Sequence, residues 1–198
     1  TKYNFETKET SFVFGFTTVP EGYRAVLHPS GKYAYFIGTE KHFILRSDYN
    51  EVTNTFGLPY LVAGVGGSSG YKDGMGSFAR LSNPQQGVFV KNEEYVNARP
   101  DGDEYDFYFC DKNNHCIRIL TPDGKVSTFA GRGEGKTSGF QNGEVRSMAL
   151  FNGPSALAYD EKRNCFYVGD TNNKLIRKIA KEEGPISETE ENEENGDN

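Results

Sequence analysis

The sequence of 198 residues has no tryptophan, only two methionines and three cysteines, and no long apolar run. Without an apolar run of spanning length, the sequence predicts no membrane insertion, and no signal peptide is recognisable at its start. The cysteines show no Cys-x-x-Cys spacing, and their odd number cannot pair completely: Cys110, Cys116 and Cys165. The pattern therefore predicts neither a zinc site nor a full disulfide framework, and it leaves the redox compartment open.

A strongly basic surface is also missing. Residues 181–198 hold eight acidic residues and one lysine, a charge of −7 in a chain whose net charge is −6. Residues 1–180 are therefore almost neutral, at about +1. Nucleic acid requires a basic face, so no nucleic-acid partner is expected. The acidic segment has almost no large apolar residues, which predicts a disordered tail at 181–198.

Aromatic residues and glycines are abundant. The chain contains 15 Phe, 12 Tyr and 23 Gly. Phe and Tyr fit the half-buried, pleated surfaces of packed sheets, and glycine supplies the backbone freedom of tight turns. Few stretches show helical periodicity. The composition therefore predicts an all-β chain with many turns.

One stretch, residues 107–131, occurs again at 166–179. Aromatic and β-branched runs flank a polar turn in both copies, which is typical of strand–turn–strand units. The corresponding positions are Asp111 and Asp170, Asn114 and Asn173, Ile117 and Ile176, and Arg118 and Arg177. A degenerate third copy ends at Ala63-Gly64, which corresponds to Ala130-Gly131. Such a repeat indicates a unit that must stack on its neighbours to bury both faces.

These residues resemble the NHL repeat, a β-propeller blade, over roughly residues 32–180. The resemblance implies about three antiparallel blades within 1–180, half of a six-bladed ring, so a fragment of a larger propeller is expected. A natural half-propeller that dimerises is the alternative. The chain is similar to the NHL proteins of gut Bacteroidetes that carry an IPT/TIG domain, although no such domain is visible here. That likeness implies a periplasmic or cell-surface location.

The recurring polar residues have a structural interpretation. Asp111 and Asp170, with Asn114 and Asn173, could be read as catalytic carboxylates and amides, but a catalytic site is normally built once. A turn device is needed in every repeat, so we expect Asx turns. In these, the carboxylate accepts an N–H two residues on, and Asn113 and Asn114 are residues that tolerate left-handed backbone geometry. Arg118 and Arg177 are expected between blades, bonded to neighbouring carbonyls.

Other motifs give no cofactor or metal prediction. Residues 130–137 fit a loose phosphate-loop pattern, but the sequence that follows is a poor helix start. Residues 101–106 suggest a calcium loop. An EF-hand loop, however, has Gly at its sixth position and Glu at its twelfth, and this sequence has Asp106 and Lys112 there. His28 and His42 look isolated, and His115 is predicted to be an exposed strand residue.

The candidate ligand site lies at the ends of the innermost strands, expected at 24–28, 86–90 and 155–159. The candidates there are Arg24, Gln85, Gln86 and Ser155. Amide and hydroxyl groups suit a polar ligand such as a glycan or peptide, so a non-catalytic binding module is the favoured function. The alternatives are a gluconolactonase-like or strictosidine-synthase-like enzyme, with its metal site mostly outside this chain, and a protein–protein scaffold.

Overall fold

The computed structural model describes residues 2–3, 10–11, 22–95, 98, 102–132 and 135–180. The strands in chain order are β1 (Lys2–Tyr3), β2 (Thr10–Ser11), β3 (Tyr23–Leu27), β4 (Tyr33–Gly38), β5 (Phe43–Asn50), β6 (Thr55–Phe56), β7 (Tyr60–Gly64), β8 (Gly74–Met75), β9 (Pro84–Lys91), β10 (Tyr105–Asp111), β11 (Cys116–Leu120), β12 (Lys125–Ala130), β13 (Pro154–Asp160), β14 (Cys165–Asp170) and β15 (Leu175–Ala180). The predicted tail at 181–198 lies outside the described residues, as does most of a strand expected at 11–16.

The predicted all-β, antiparallel class is confirmed. Within the described ranges the only helical segments are 3₁₀ turns of three residues, and every strand pair is antiparallel. No helix in this part of the chain is long and apolar enough to span a bilayer.

Three sheets fall on the three sequence repeats. The first has the order β3-β4-β5-β7, with β6 also paired to β5. The second has the order β9-β10-β11-β12, with the short β8 added beyond β12, and the third has the order β13-β14-β15. The segment at 64–77, expected to be a plain crossing loop, therefore contributes a strand to the second sheet.

The repeated Ala-Gly pair ends the fourth strand. Gly64 and Gly131 both have positive φ, at 84° and 110°. A β-carbon on Gly64 would collide with the carbonyl oxygen of His42, and one on Gly131 would crowd that of His115. Glycine is therefore required at both positions for two reasons: the positive φ angle, and the close approach of the turn between the second and third strands.

The core consists of two layers on either side of the second sheet. Phe107 and Phe109 point into the cluster shared with the first sheet, whereas Cys110 and Ile117 belong to the cluster shared with the third. Successive residues of β10 therefore face opposite layers, as the pleat of a strand requires. Cys116 is buried as expected for a small apolar residue.

Candidate functional site

Asp111 is fully buried and accepts three hydrogen bonds. Its Oδ1 accepts from the backbone N–H of Ser82 (2.7 Å), and its Oδ2 accepts from Asn114 Nδ2 (2.8 Å) and Arg118 Nη1 (2.8 Å). The predicted Asx turn is therefore wrong, since the backbone donor lies in the preceding connection rather than two residues on. Asp170 repeats the arrangement with the backbone N–H of Asn152, also at 2.7 Å.

Arg118 ties this carboxylate to the connection between the first two sheets. It is fully buried, and its Nη2 donates to Asp73 Oδ1 (2.7 Å) and to the carbonyl of Lys72 (3.1 Å). The expected arginine between repeats, bonded to neighbouring carbonyls, is confirmed, with two carboxylates in addition. Burial raises the pKa of Asp111, and the Arg118 guanidinium, which favours the ionised carboxylate, opposes that rise.

The left-handed residue of each turn is not an asparagine. His115 (φ 53°) and Lys174 (φ 59°) hold that conformation after the 3₁₀ turns, so the tolerance of Asn113 and Asn114 for left-handed geometry is not used here. The asparagine amide is instead used for tertiary contacts: Asn114 Nδ2 donates to the carbonyl of Gly70 (2.8 Å). The role of Asn114 is therefore set by this tertiary hydrogen bond and not by the preference of asparagine for turns.

Two histidines link neighbouring sheets. Nδ1 of His42 accepts the backbone N–H of Asn83 (3.0 Å), and Nδ1 of His115 accepts that of Gly153 (3.1 Å). Asn83 and Gly153 each precede the first strand of the next sheet and have positive φ. The expectations that His42 is isolated and that His115 is an exposed strand residue are both wrong.

Arg24 and Gln85 are brought together by the fold. Nε and Nη2 of Arg24 lie 3.3 and 3.1 Å from Gln85 Oε1. Arg24 is exposed, whereas Gln85 is 7% exposed and donates through its own amide to Asn83 Oδ1. A continuous series of bonds therefore connects His42, Asn83, Gln85 and Arg24, and it holds the guanidinium in one orientation.

The other two candidates lie at the same end of the sheets but contact different residues. Arg24, Gln85 and Ser155 are each the second residue of a first strand, in β3, β9 and β13. Strand β9 packs against both β3 and β13. Ser155 is half-buried and shares a hydrogen bond with the Thr171 hydroxyl (2.5 Å), while Gln86 is exposed. Direct contact is therefore limited to Arg24 and Gln85.

A polar cluster that the sequence did not reveal surrounds His28. Its Nδ1 lies 2.7 Å from Ser30 Oγ and accepts the Ser30 backbone N–H (3.2 Å), and its Nε2 faces Asp103 Oδ1 at 3.4 Å. Tyr33 OH also donates to Asp103 (3.0 Å). The view of His28 as isolated is wrong. His28 and Asp103 are 75 positions apart, so they leave no local signal: Asp103 belongs to an insertion of the second repeat, between β9 and β10, and contacts the first sheet.

The acidic insertion uses its carboxylates internally. Burial raises the pKa of Asp103, but the contacts from His28, the Tyr105 N–H and Tyr33 outweigh it and lower the pKa overall. Asp106 is buried and accepts from Asn92 (2.8 Å) and Tyr95 (3.0 Å). Within the described ranges no group of three or more His, Cys, Asp or Glu side chains is placed to hold a metal. Residues 136–140, after the loose phosphate-loop pattern, have no helical structure.

Comparison with known proteins gives strong structural likeness to Bacteroides proteins. The chain is 49% identical to an auxiliary nutrient binding protein from Bacteroides thetaiotaomicron, over 90% of this chain, with a TM-score of 0.84. An auxiliary nutrient binding protein from Bacteroides ovatus is also 49% identical, over 91% of this chain, with a TM-score of 0.85. A putative phosphatase from B. thetaiotaomicron is 44% identical over 80% of this chain, with a TM-score of 0.74.

The chain spans less than half the length of these structures. It covers 42% of each nutrient binding protein and 34% of the phosphatase. A comparison with known protein families finds none that matches the sequence.

Proposed function

We propose that this chain is part of an NHL-type β-propeller that acts as a non-catalytic binding module of the bacterial cell envelope. Its ligand is a polar molecule, a glycan or a peptide, or a protein partner. The observation that carries the proposal is the 49% identity to two proteins named as nutrient binding, maintained over nine-tenths of the chain. The three stacked antiparallel sheets, one per repeat, support the propeller.

The geometry supports ligand binding at the end of the sheets where β3, β9 and β13 begin. Exposed polar groups at that end belong to Arg24 and Gln86, and the half-buried Ser155 begins the third sheet at the same end. The recurring Asp111 and Asp170 are fully buried and bonded internally, so a ligand does not reach their carboxylates. A site at positions that differ between repeats is consistent with a function that is built once.

A second candidate function rests on the structure named as a putative phosphatase. In that case the catalytic groups, with any metal, would lie mostly outside this chain, since the described residues contain no cluster of metal ligands. Metal analysis of the full-length protein distinguishes the two functions. A stoichiometric divalent ion required for turnover would favour the enzyme.

Binding is tested with a glycan array and with a double variant of the full-length protein, Arg24→Ala with Gln86→Ala. We expect the wild type to retain a defined set of polar glycans and the double variant to lose them. Asp160→Ala, at the last residue of β13 and therefore at the opposite end of that strand, is the control. A binding profile that the double variant leaves unchanged would place the site elsewhere.

A further inference from the structure

Arg24 differs in its partner from the other three described arginines that lie in strands. Those three make ion pairs: Arg46 with Asp48, Arg118 with Asp73 and Asp111, and Arg177 with Asp170. Arg24 contacts only the neutral amide of Gln85, and no carboxylate among the described residues lies within ion-pair distance of it. The exposed end of the sheets therefore carries a positive charge that its own surroundings do not neutralise.

The guanidinium is also held in position. Nε and Nη2, on one edge of the guanidinium, donate to Gln85 Oε1. Gln85 in turn donates through its amide to Asn83. Since arginine has five N–H donors, Nη1 and the second proton of Nη2 are left for another acceptor. Two parallel donors in a plane match a carboxylate, and little side-chain entropy is lost on binding because the fork is already oriented.

We propose that Arg24 binds the carboxylate of an acidic saccharide, a uronic acid, at this site. The inference rests on the proposed binding function and specifies its ligand class. The saccharide is favoured over an acidic peptide because the other polar groups at this end of the sheets are the exposed amide of Gln86 and the hydroxyls of Ser155 and Thr171. Such groups can both donate to and accept from sugar hydroxyls.

The test uses two probes with the same sugar backbone, tetragalacturonate and its neutral methyl ester, titrated calorimetrically into the full-length wild-type protein at low salt. We expect binding of the acid to be at least tenfold tighter than that of the ester, as one charge-assisted pair requires. The affinity for the acid should also fall as salt is added. An acidic hexapeptide serves as the competing ligand class, and binding of the peptide but not the acid would overturn the saccharide assignment.

Two variants test the residue itself. Arg24→Gln removes the charge, and Gln85→Glu places a carboxylate beside the guanidinium, where it would neutralise the fork. Both should lose at least tenfold in affinity for tetragalacturonate, whereas Arg163→Gln, on a distant hairpin, should not. Thermal unfolding establishes whether each variant is folded. If Gln85→Glu does not fold, because Gln85 is buried, Arg24→Gln alone provides the test.

The outcomes separate this inference from the proposed function. Equal affinity for acid and ester, with loss of both in Arg24→Gln, would reject the charged ligand but retain a saccharide site. Binding of the acid that both variants leave unchanged would reject Arg24. Failure of the wild type to bind the acid, with retention of other glycans on the array, would reject the uronic acid alone. Failure with every glycan would reject a saccharide as the ligand of the proposed binding module.

Discussion

Nδ1 of His115 lies 3.1 Å from the backbone nitrogen of Gly153 and accepts its proton. The turn that closes the middle hairpin of the second sheet thereby fixes the start of β13 in the third. His42 and Asn83 repeat the contact one sheet earlier. Apolar packing between the sheets has no preferred register, so this directional bond helps to align them along their strands.

Replacing His115 should weaken the junction between the second and third sheets. His115→Ala removes the acceptor and places alanine at positive φ, so we expect a loss of about 1–2 kcal/mol in the free energy of unfolding. His115→Asn should cost less, because asparagine tolerates left-handed geometry. Urea denaturation measures both variants. Equal losses would mean that the backbone conformation contributes nothing.

Removing the buried carboxylates should destabilise the protein without abolishing ligand binding. Asp111→Ala leaves the buried Arg118 guanidinium without its partner, and about 3–5 kcal/mol is expected for breaking such a pair. Asp170→Ala should cost less, because Arg177 is 9% exposed and can recover some hydration. Denaturant unfolding and the glycan array test both statements. Asp160→Ala, in an exposed pair with Arg163, is the control and should change little. A stable variant that lost binding would give the carboxylate a functional role.

Acid should remove the contribution of Asp103. Its pKa is lowered in the folded chain, so its stabilising contribution is complete above its ordinary pKa, near about pH 4, and is lost as the pH falls through the folded value. Asp103→Asn should therefore be less stable than the wild type at pH 7, with the difference narrowing towards pH 3. Urea unfolding at several pH values gives this comparison. A difference that did not change with pH would assign the effect to packing.

The three cysteines should be inert in the native protein. Cys110, Cys116 and Cys165 are free thiols, at most 1% exposed, and burial raises the pKa of Cys110 and Cys116. A buried, protonated thiol is a poor nucleophile. We expect no reaction with a thiol reagent in buffer and three equivalents in denaturant. Rapid labelling of one cysteine in the native state would indicate local opening of a sheet.

Much of the fold could be predicted from local sequence. The repeated Asp111 and Asp170 stretches set the hairpins, and the Ala-Gly pairs mark the ends of the fourth strands, because turn chemistry and strand pattern depend on neighbouring residues. The antiparallel sheets, the buried Cys116 and the position of Arg118 between repeats followed from that pattern. Residues that recur in each repeat were interpreted as structural, and polar residues that differ between repeats were interpreted as candidates for a ligand site.

Only the tertiary structure decided what the polar side chains bind. Asp111 looked like a turn residue but bonds Ser82, 29 residues earlier. His28 meets Asp103 across 75 residues, and Arg24 meets Gln85 across 61. Hydrogen-bonding partners so distant leave no periodic or spacing signal in one sequence. The sequence by itself determined the repeating antiparallel strands; the packing of one repeat on the next determined which charges are neutralised in the interior and which, at Arg24, remain exposed.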